Sequence, residues 1–375
     1  MKAVLYVSAN GFIGGAEKVV LILAQMHASK KENAYFLLFN DGPLKDEIAK
    51  LGFHPYVLKN KFKLRSFYSL FKAIQEIREL IKDWDYSIIH STMAYSHLVM
   101  GLATPFSKKK KIWFQHGPVG GILDILASFF PMDIILFNSS YLLKKHMGGQ
   151  TLFKGKFAPK VIPLPINLEE PKYSEVLILE NKYQASGQFV VGSFGRIARG
   201  KNYDLLIKAF ANIKIEKSLL FILGSPNSRS DEIYYKELKK LTHDLNIVNK
   251  VHFIPHQTNV NVYYKLLNCY VHPGILDEGF GLTVAEAMFL GTPVISSDYG
   301  ALRDFVKNDE TALVIKSRDR HAVDLLTSIL LKSLSNEIER KKMSNLAQNN
   351  IKTKYNFSNF QVAITDVYQF LNSID

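Results

Sequence analysis

"CYVHPGILDEGFGLTVAEAMFLGTPVISSD", residues 269–298, decides the fold. A short apolar run, 269–274, breaks at a Pro-Gly pair. A helix is predicted from about Leu282 to Leu290, with Gly291 to stop it and Pro293 beyond. A second apolar run, 293–298, follows. Strands that are apolar throughout, not at alternate positions, and that alternate with helices belong to parallel sheets covered on both faces. The same unit recurs along the chain. Strands are expected at 3–9, 34–40, 54–59, 86–91, 111–116 and 134–139, then at 189–195, 219–225, 251–255, 269–274, 293–298 and 312–315. Residues 204–213, 233–245 and 318–333 show helical spacing. A chain of 375 residues exceeds one hydrophobic core. The Pro- and charge-rich stretch 162–187 separates the halves. The expectation is an α/β protein of two doubly wound parallel-sheet domains facing a central cleft: residues 1–170, a linker at 171–187, and residues 188–357. Ligands of such sheets bind beyond the carboxyl ends of the strands.

Composition narrows the partners. The net charge is +13, about nine of it in the first 170 residues, with Lys108–Lys111 as a block. That asymmetry suggests an anionic partner (nucleic acid, a phosphorylated substrate or an acidic membrane surface) or a solvated basic face. Charge alone speaks for nucleic acid, and no aromatic RNA-binding strand motif supports it. The single Cys269 excludes an internal disulfide and, with no clear export signal, favours a reducing, cytoplasmic compartment. The longest stretch free of Asp, Glu, Lys and Arg, 86–107, carries two His and many Ser/Thr, so a strand and a buried helix explain it better than a bilayer span. No H-E-x-x-H and no paired Cys is present, so no metal is expected.

Four motifs carry candidate chemistry, each just after an expected strand. Glu286 lies in a helix whose only other polar residue is Thr283. A carboxylate in such a setting must be paired or hydrogen-bonded. It either accepts from a ligand such as a ribose hydroxyl or is a structural glutamate bonded to nearby backbone. Glu278 precedes the same turn, and the amides near Gly281, Leu282 and Thr283 can hold phosphate at the helix start. Arg196 and Lys201 share the loop after strand 189–195. They are a diphosphate-binding pair or two solvated cations. In "SANGFIGGAEKVV", Gly11, Gly14 and Gly15 lie between a strand and a helix, as a phosphate- or sugar-facing loop or a plain tight turn. His116, in "QHGP", is either a hydrogen-bonded scaffold residue or a group at the site, and core packing is the first reading for His90.

Together these residues resemble the retaining GT-B glycosyltransferases of family 4, also called glycosyl transferases group 1. The resemblance covers nearly the whole chain. It rests on "GGAEKV" (14–19), "QHGP" (115–118), "FGRIARGKNYDLLIKAF" (194–210), "VHFIPH" (251–256) and 272–306, in which Glu278 and Glu286 match the family's E-x7-E signature. It implies two Rossmann-like domains, the N-terminal one acceptor-binding and joined by a C-terminal helix at 358–375, the C-terminal one binding a nucleotide-sugar donor. It implies that Gly14 and Gly15 face the donor diphosphate and sugar, that Arg196 and Lys201 neutralise the leaving phosphate, and that His116 lies beside the reacting sugar. Glu278 would contact sugar hydroxyls, Glu286 the ribose, and Phe280, Gly281, Leu282 and Thr283 would line the donor site. Pro226, Pro255 and "PLPIN" (163–167) depart from the family's usual residues near the base and the linker.

The expected activity is transfer of a hexose from a nucleotide-diphosphate sugar to an acceptor hydroxyl with retention and without metal or other cofactor, in assembly of a surface glycan such as lipopolysaccharide, capsule or a lipid-linked oligosaccharide. The alternatives are a GT-B nucleotide-sugar enzyme without acceptor transfer, epimerase- or phosphorylase-like, and a non-catalytic nucleotide-sugar-binding protein. Residues 59–82 interleave cations with Phe62, Leu64, Phe67, Tyr68 and Phe71, which suits peripheral docking on the inner face of an anionic membrane or an amphipathic helix with a basic outer face.

Overall fold

The computed structural model describes residues 3–148 and 155–374. They form two compact units, one of Met1–Leu164 with Ser358–Asp375, the other of Pro165–Phe357.

Unit 1 holds β1 (Ala3–Ser8), β2 (Ala34–Leu38), β3 (Tyr56–Val57), β4 (Tyr86–Thr92), β5 (Lys110–Gln115), β6 (Ile134–Phe137) and β7 (Lys160–Val161). They make one parallel sheet in the order β3-β2-β1-β4-β5-β6-β7. Every residue of β1 and β6 is buried, as continuous apolar runs require of strands covered on both faces. The edge strand β7, of two residues, had no pattern to be read. Helices 67–81 and 93–103 bury Ala73, Ile77, Val99 and Met100 against Leu5, Val7 and Leu37.

The helix Phe357–Asn372 belongs to this unit for a chemical reason. It buries Ile364, Val367 and Leu371, and it places the Tyr368 hydroxyl 2.9 Å from Tyr6 Oη and 2.7 Å from His90 Nδ1. Tyr6 Oη also meets His27 Nε2 at 2.8 Å, and His27 Nδ1 meets Glu32 at 3.1 Å. Buried polar groups are tolerated when each finds a partner. This chain of partners ties residue 368 to strands β1 and β4. His90 is therefore a core residue, wholly buried.

Unit 2 holds β8 (Phe189–Phe194), β9 (Ser218–Leu223), β10 (Val251–Ile254), β11 (Cys269–His272), β12 (Val294–Ser296) and β13 (Leu313–Val314), parallel in the order β10-β9-β8-β11-β12-β13. Its core is Val191, Leu206, Phe210, Leu220, Ile222 and Val271 with their neighbours. Residues 171–187, read as a linker, contain the helix Tyr173–Tyr183. It packs on helix Asn261–Leu266, and Tyr183 meets Phe221 and His252 at ring-centroid distances of 4.8 and 5.1 Å. Proline and charge marked the start of this segment, but Tyr183 makes it part of unit 2.

In each sheet the strand order reverses once, between β1 and β4 and between β8 and β11. Loops that leave such a pair diverge and open a crevice at the strands' carboxyl ends. The Gly11–Gly15, Arg196–Lys201 and Asp277–Gly281 loops all leave strands of these pairs.

Three buried histidines make stability depend on acid. Burial pushes His90 down to about 3, with His116 and His27 adding to the effect, and burial pushes both His97 and His272 down to about 4. The unfolded chain takes up these protons near pH 6.5 while the folded chain refuses them, so stability present above 6.5 is lost as pH falls towards 4. Each contributes a slope of about 1.4 kcal/mol per pH unit. Urea denaturation at pH 5.5 is expected to show about 2–4 kcal/mol less stability than at pH 7.5. Equal midpoints at the two pH values would contradict neutral burial of these rings.

Candidate functional site

In unit 2 the site is built by two loops that hold one another. After β8, residues Arg199–Lys201 form a single 3-10 turn. After β11, Ile275 donates its amide to Gly200 O at 3.0 Å, and Asn202 Nδ2 donates to Pro273 O at 3.2 Å. The Leu276 side chain lies over Gly200, where a Cβ would meet its Cδ1 at 2.4 Å.

The contact sets Lys201 Nζ 2.5 Å from Glu278 Oε1, with both side chains about a quarter exposed (27% and 23%). His272, the last residue of β11 and 2% exposed, brings Nε2 to 3.5 Å from the same oxygen. Burial holds the His272 imidazole down to about 4, helped by the Lys201 cation and opposed by Glu278. Burial pushes the Glu278 carboxyl up, but the Lys201 ammonium and His272 outweigh it and leave the group below its ordinary range. At neutral pH the trio is a cation, an anion and a neutral ring.

The Glu278 main chain is fixed as well. Its carbonyl accepts from Ala301 N at 2.9 Å, and its amide donates to Tyr299 O at 3.4 Å. Gly300 makes this possible: its φ is +69°, and a Cβ there would lie 2.4 Å from Glu278 O and 2.6 Å from Glu278 N. Gly300→Ala is expected to destabilise unit 2 by about 2 kcal/mol or more and to displace Glu278. Thermal unfolding checks the first effect; an unchanged melting temperature would show that the loop yields freely. Arg318 braces the same turn, bonding Asp277 at 2.8 Å and Ile275 O at 2.8 Å and lying 3.9 Å over the Tyr299 ring.

Four residues beyond Glu278 the helix Leu282–Phe289 begins. Gly281 caps it at φ +90°, and Leu282 and Thr283 are half-buried. Glu286 is 4% exposed, and the Tyr264 hydroxyl shares its one proton between Glu286 Oε2 at 3.2 Å and Thr283 O at 2.9 Å. The charge in the apolar helix is thus partnered by a buried phenol. Phe280 is 5% exposed and packs its ring against Phe305 and Tyr355.

Arg196 is exposed and makes no ion pair or side-chain hydrogen bond among the described residues. The neighbouring Arg199 is engaged with both oxygens of Glu237, at 2.7 and 2.8 Å. Lys201 alone of the expected pair is brought to Glu278.

In unit 1, Gly14 and Gly15 are exposed at the start of helix Gly15–Lys30. The Gly14 amide donates to Glu17 Oε2 at 3.2 Å, and Asn10 Nδ2 donates to Glu17 Oε1 at 3.1 Å. The loop thus holds a carboxylate of its own chain at the helix start. His116 follows β5, and neither ring nitrogen has a hydrogen-bond partner among the described residues. Burial pushes its imidazole down to about 3. Its loop is clasped from below: the Asp124 carboxylate accepts from Gly120 N at 2.8 Å and Gly121 N at 3.0 Å, and Gln115 Nε2 donates to Pro118 O at 3.1 Å. The scaffold bonds expected of a structural histidine are made instead by Gln115 and Asp124.

Sequence reasoning passed over His272, Arg318, Gln115 and Asp124. His272 was legible as a polar residue ending an apolar strand in "YVHPG". Arg318 lies 40 residues beyond Glu278 in sequence, and nothing local marks it.

Among the described residues no helix is long and apolar enough to cross a membrane, and no three His, Cys, Asp or Glu side chains are grouped to hold a metal ion.

Residues 178–351 match the family model "Glycosyl transferases group 1", and residues 13–143 match "Glycosyltransferase Family 4". Among curated relatives, the chain is 31% identical over 136 residues to the lipopolysaccharide core biosynthesis mannosyltransferase LpsB of Rhizobium meliloti (strain 1021), covering 36% of this chain and 38% of that one. It is 29% identical over 140 residues to the lipopolysaccharide core biosynthesis mannosyltransferase LpcC of Rhizobium leguminosarum bv. viciae, covering 36% and 39%. The chain spans about two fifths of the length of these two relatives. Among solved structures, Anabaena Alr3699/HepE in complex with UDP-glucose superposes with a TM-score of 0.85 at 19% identity, over 98% of this chain and 100% of that one. The lipopolysaccharide outer core galactosyltransferase WaaB, apo form, gives 0.70 at 20% identity, over 98% and 99%. At these identities the structural likeness establishes the fold.

Proposed function

Because this chain belongs to the glycosyl transferases group 1 family and has the GT-B fold, we propose that it moves a sugar from a nucleoside-diphosphate donor to an acceptor hydroxyl. One observation carries the reading: Lys201 and Glu278 meet at 2.5 Å beyond the carboxyl ends of β8 and β11, where the strand order reverses, four residues before the start of helix Leu282–Phe289. A fixed cation and the first amides of a helix in one crevice suit a diphosphate.

In the proposed reaction the anomeric C–O bond breaks and its electron pair passes to the terminal phosphate oxygen. The acceptor oxygen forms the new bond, and its proton goes to a phosphate oxygen. Cations and amides already aimed at the growing charge lower the barrier most. Lys201 and the amides of Leu282 and Thr283 supply them in this reading, with the exposed Arg196 as a second cation. Among the described residues no side chain stands out as a covalent nucleophile, so retention would follow from attack on the face the phosphate leaves. Glu278 positions Lys201 and takes the donor sugar's hydroxyls, Glu286 takes the ribose, and His116 serves the reacting sugar. The named relatives favour a hexose donor and an acceptor in surface-glycan assembly, lipopolysaccharide first.

Thermal shift of the full chain against UDP, GDP, ADP and their sugars tests the donor site. A ligand at 100 times its Kd adds about 2.7 kcal/mol to stability. One nucleoside diphosphate is expected to raise the melting temperature by several degrees. No shift with any of them would overturn the reading.

A further inference from the structure

β11 ends on an orphaned imidazole. His272 is 2% exposed, and its Nε2 has no hydrogen-bond partner among the described residues. Its carbonyl accepts from Ser297 N at 2.9 Å, so the strand end is fixed. A Cβ on Gly274 would lie 2.9 Å from Nε2, so the main chain passes close beside that nitrogen. A buried nitrogen left without a partner is costly, and in a native protein it asks for a reason.

A polar atom lies almost within reach: Glu278 Oε1 is 3.5 Å from Nε2. A charge-assisted hydrogen bond would be shorter, about 2.7–2.9 Å. The oxygen is already taken by Lys201 Nζ at 2.5 Å. These two charges act on the ring in opposite senses. The Lys201 cation lowers its affinity for a proton, and the Glu278 carboxylate raises it. Drawing Lys201 away therefore strips Glu278 of its cation and leaves the ring facing an unopposed carboxylate. Two phenols also sense the Glu278 charge, and neither can serve it. Burial holds both Tyr203 and Tyr270 protonated. Tyr203 Oη donates to Gly195 O at 3.1 Å, and Tyr270 Oη donates to Phe194 O at 3.3 Å.

We infer that His272 is a positioning residue that takes over Glu278 when a diphosphate draws the Lys201 ammonium away: the ring accepts a proton from solvent and makes a hydrogen bond from Nε2 to Glu278 Oε1. This role presupposes the diphosphate site proposed above and adds one proton to it. Lys201 is then free to meet the charge growing on the phosphate. Glu278 stays neutralised and keeps Oε2 for a ligand hydroxyl. When the diphosphate leaves, Lys201 closes on Glu278 again and the ring returns its proton to solvent.

Imidazole NMR of the full chain, labelled in its 11 His, tests the exchange without any ligand. Lys201→Gln imitates withdrawal of the ammonium. In the wild type the His272 ring, identified by His272→Asn, is expected to stay neutral from pH 8 down to pH 5.5. In Lys201→Gln its titration midpoint is expected to rise by about one pH unit or more, and Glu278→Gln added to that variant is expected to bring it back down. A histidine that only fills space would titrate alike in all three proteins. Should His272→Asn misfold, the ring is the one whose titration responds to Lys201→Gln, and the absence of any responding ring overturns the role.

Calorimetry supplies the second arm. UDP-glucose, GDP-mannose and ADP-glucose have both phosphates esterified and carry no phosphate proton near pH 6, so a proton taken up on binding goes to the protein. The one that raises the melting temperature is titrated at pH 6 in buffers of low and high ionisation enthalpy. The wild type is expected to take up about half a proton, and His272→Asn essentially none. If none of the three binds, the proposed function fails, and the ligand-free titration still decides the role of His272. That role is overturned if the His272 midpoint is the same in the wild type and Lys201→Gln, or if Glu278→Gln does not reverse the rise. It is equally overturned if a bound nucleotide sugar brings no proton with it, or if His272→Asn takes up as much as the wild type.

Discussion

Lys201→Ala lowers turnover about 10²–10³-fold while changing the Michaelis constant for intact donor only a few-fold, on the scale seen when one aimed charge-stabilising group is removed from an active site. The asymmetry follows from where the charge grows. Intact donor carries less negative charge on the terminal phosphate than the departing diphosphate does, so the Lys201 cation matters most as the bond breaks. The ion pair at 2.5 Å from Glu278 adds a second expectation. Glu278 competes with phosphate for the ammonium and also holds it in place, so the two residues act as a unit. Effects of Lys201→Ala and Glu278→Gln on turnover should then be far from additive, the double variant being little worse than Lys201→Ala alone. Strict additivity would mean that the pair is a surface contact without part in the reaction.

Glu286→Ala is expected to do the reverse, weakening nucleoside-diphosphate binding about 10–100-fold with turnover largely kept, the range for hydrogen bonds to a charged acceptor. A structural explanation competes, because Glu286 accepts from the buried Tyr264 hydroxyl and its removal leaves a phenol without that partner. Titration of two variants by calorimetry separates them. Tyr264→Phe with Glu286→Leu removes both polar groups and should recover much of the lost stability. If Glu286 reaches a ribose hydroxyl, that double variant still binds nucleotide weakly. If Glu286 only satisfies Tyr264, binding returns with stability.

The parallel sheets were legible because β1, β8 and β11 are buried from end to end, and such strands must be written in continuous apolar residues. Their ends were read too long. The 269–274 run stops pairing at His272, where Pro273 cannot donate to a ladder and the chain turns towards Gly200. The helix Tyr173–Tyr183 was hidden because none of its residues is fully buried, so the apolar stripe that reveals a packed helix is faint there. In the site, Lys201 and Glu278 could be picked out as charges on loops after strands, but not their contact, which depends on the Ile275–Gly200 main-chain bond and on Gly300 letting its backbone touch that of Glu278. His272 and Asp124 act through burial and loop geometry, and neither leaves a spacing to count. Glu17 shows the opposite failure. Its position after the glycines was visible, while its return to bond the Gly14 amide was not.

The most direct measurement is a crystal structure of the full chain grown with the nucleoside diphosphate that gives the largest thermal shift. The terminal phosphate is expected within hydrogen-bond reach of Lys201 Nζ and of the amides of Leu282 and Thr283, with a ribose hydroxyl on Glu286. A phosphate bound elsewhere, with Lys201 still closed on Glu278 alone, would contradict it.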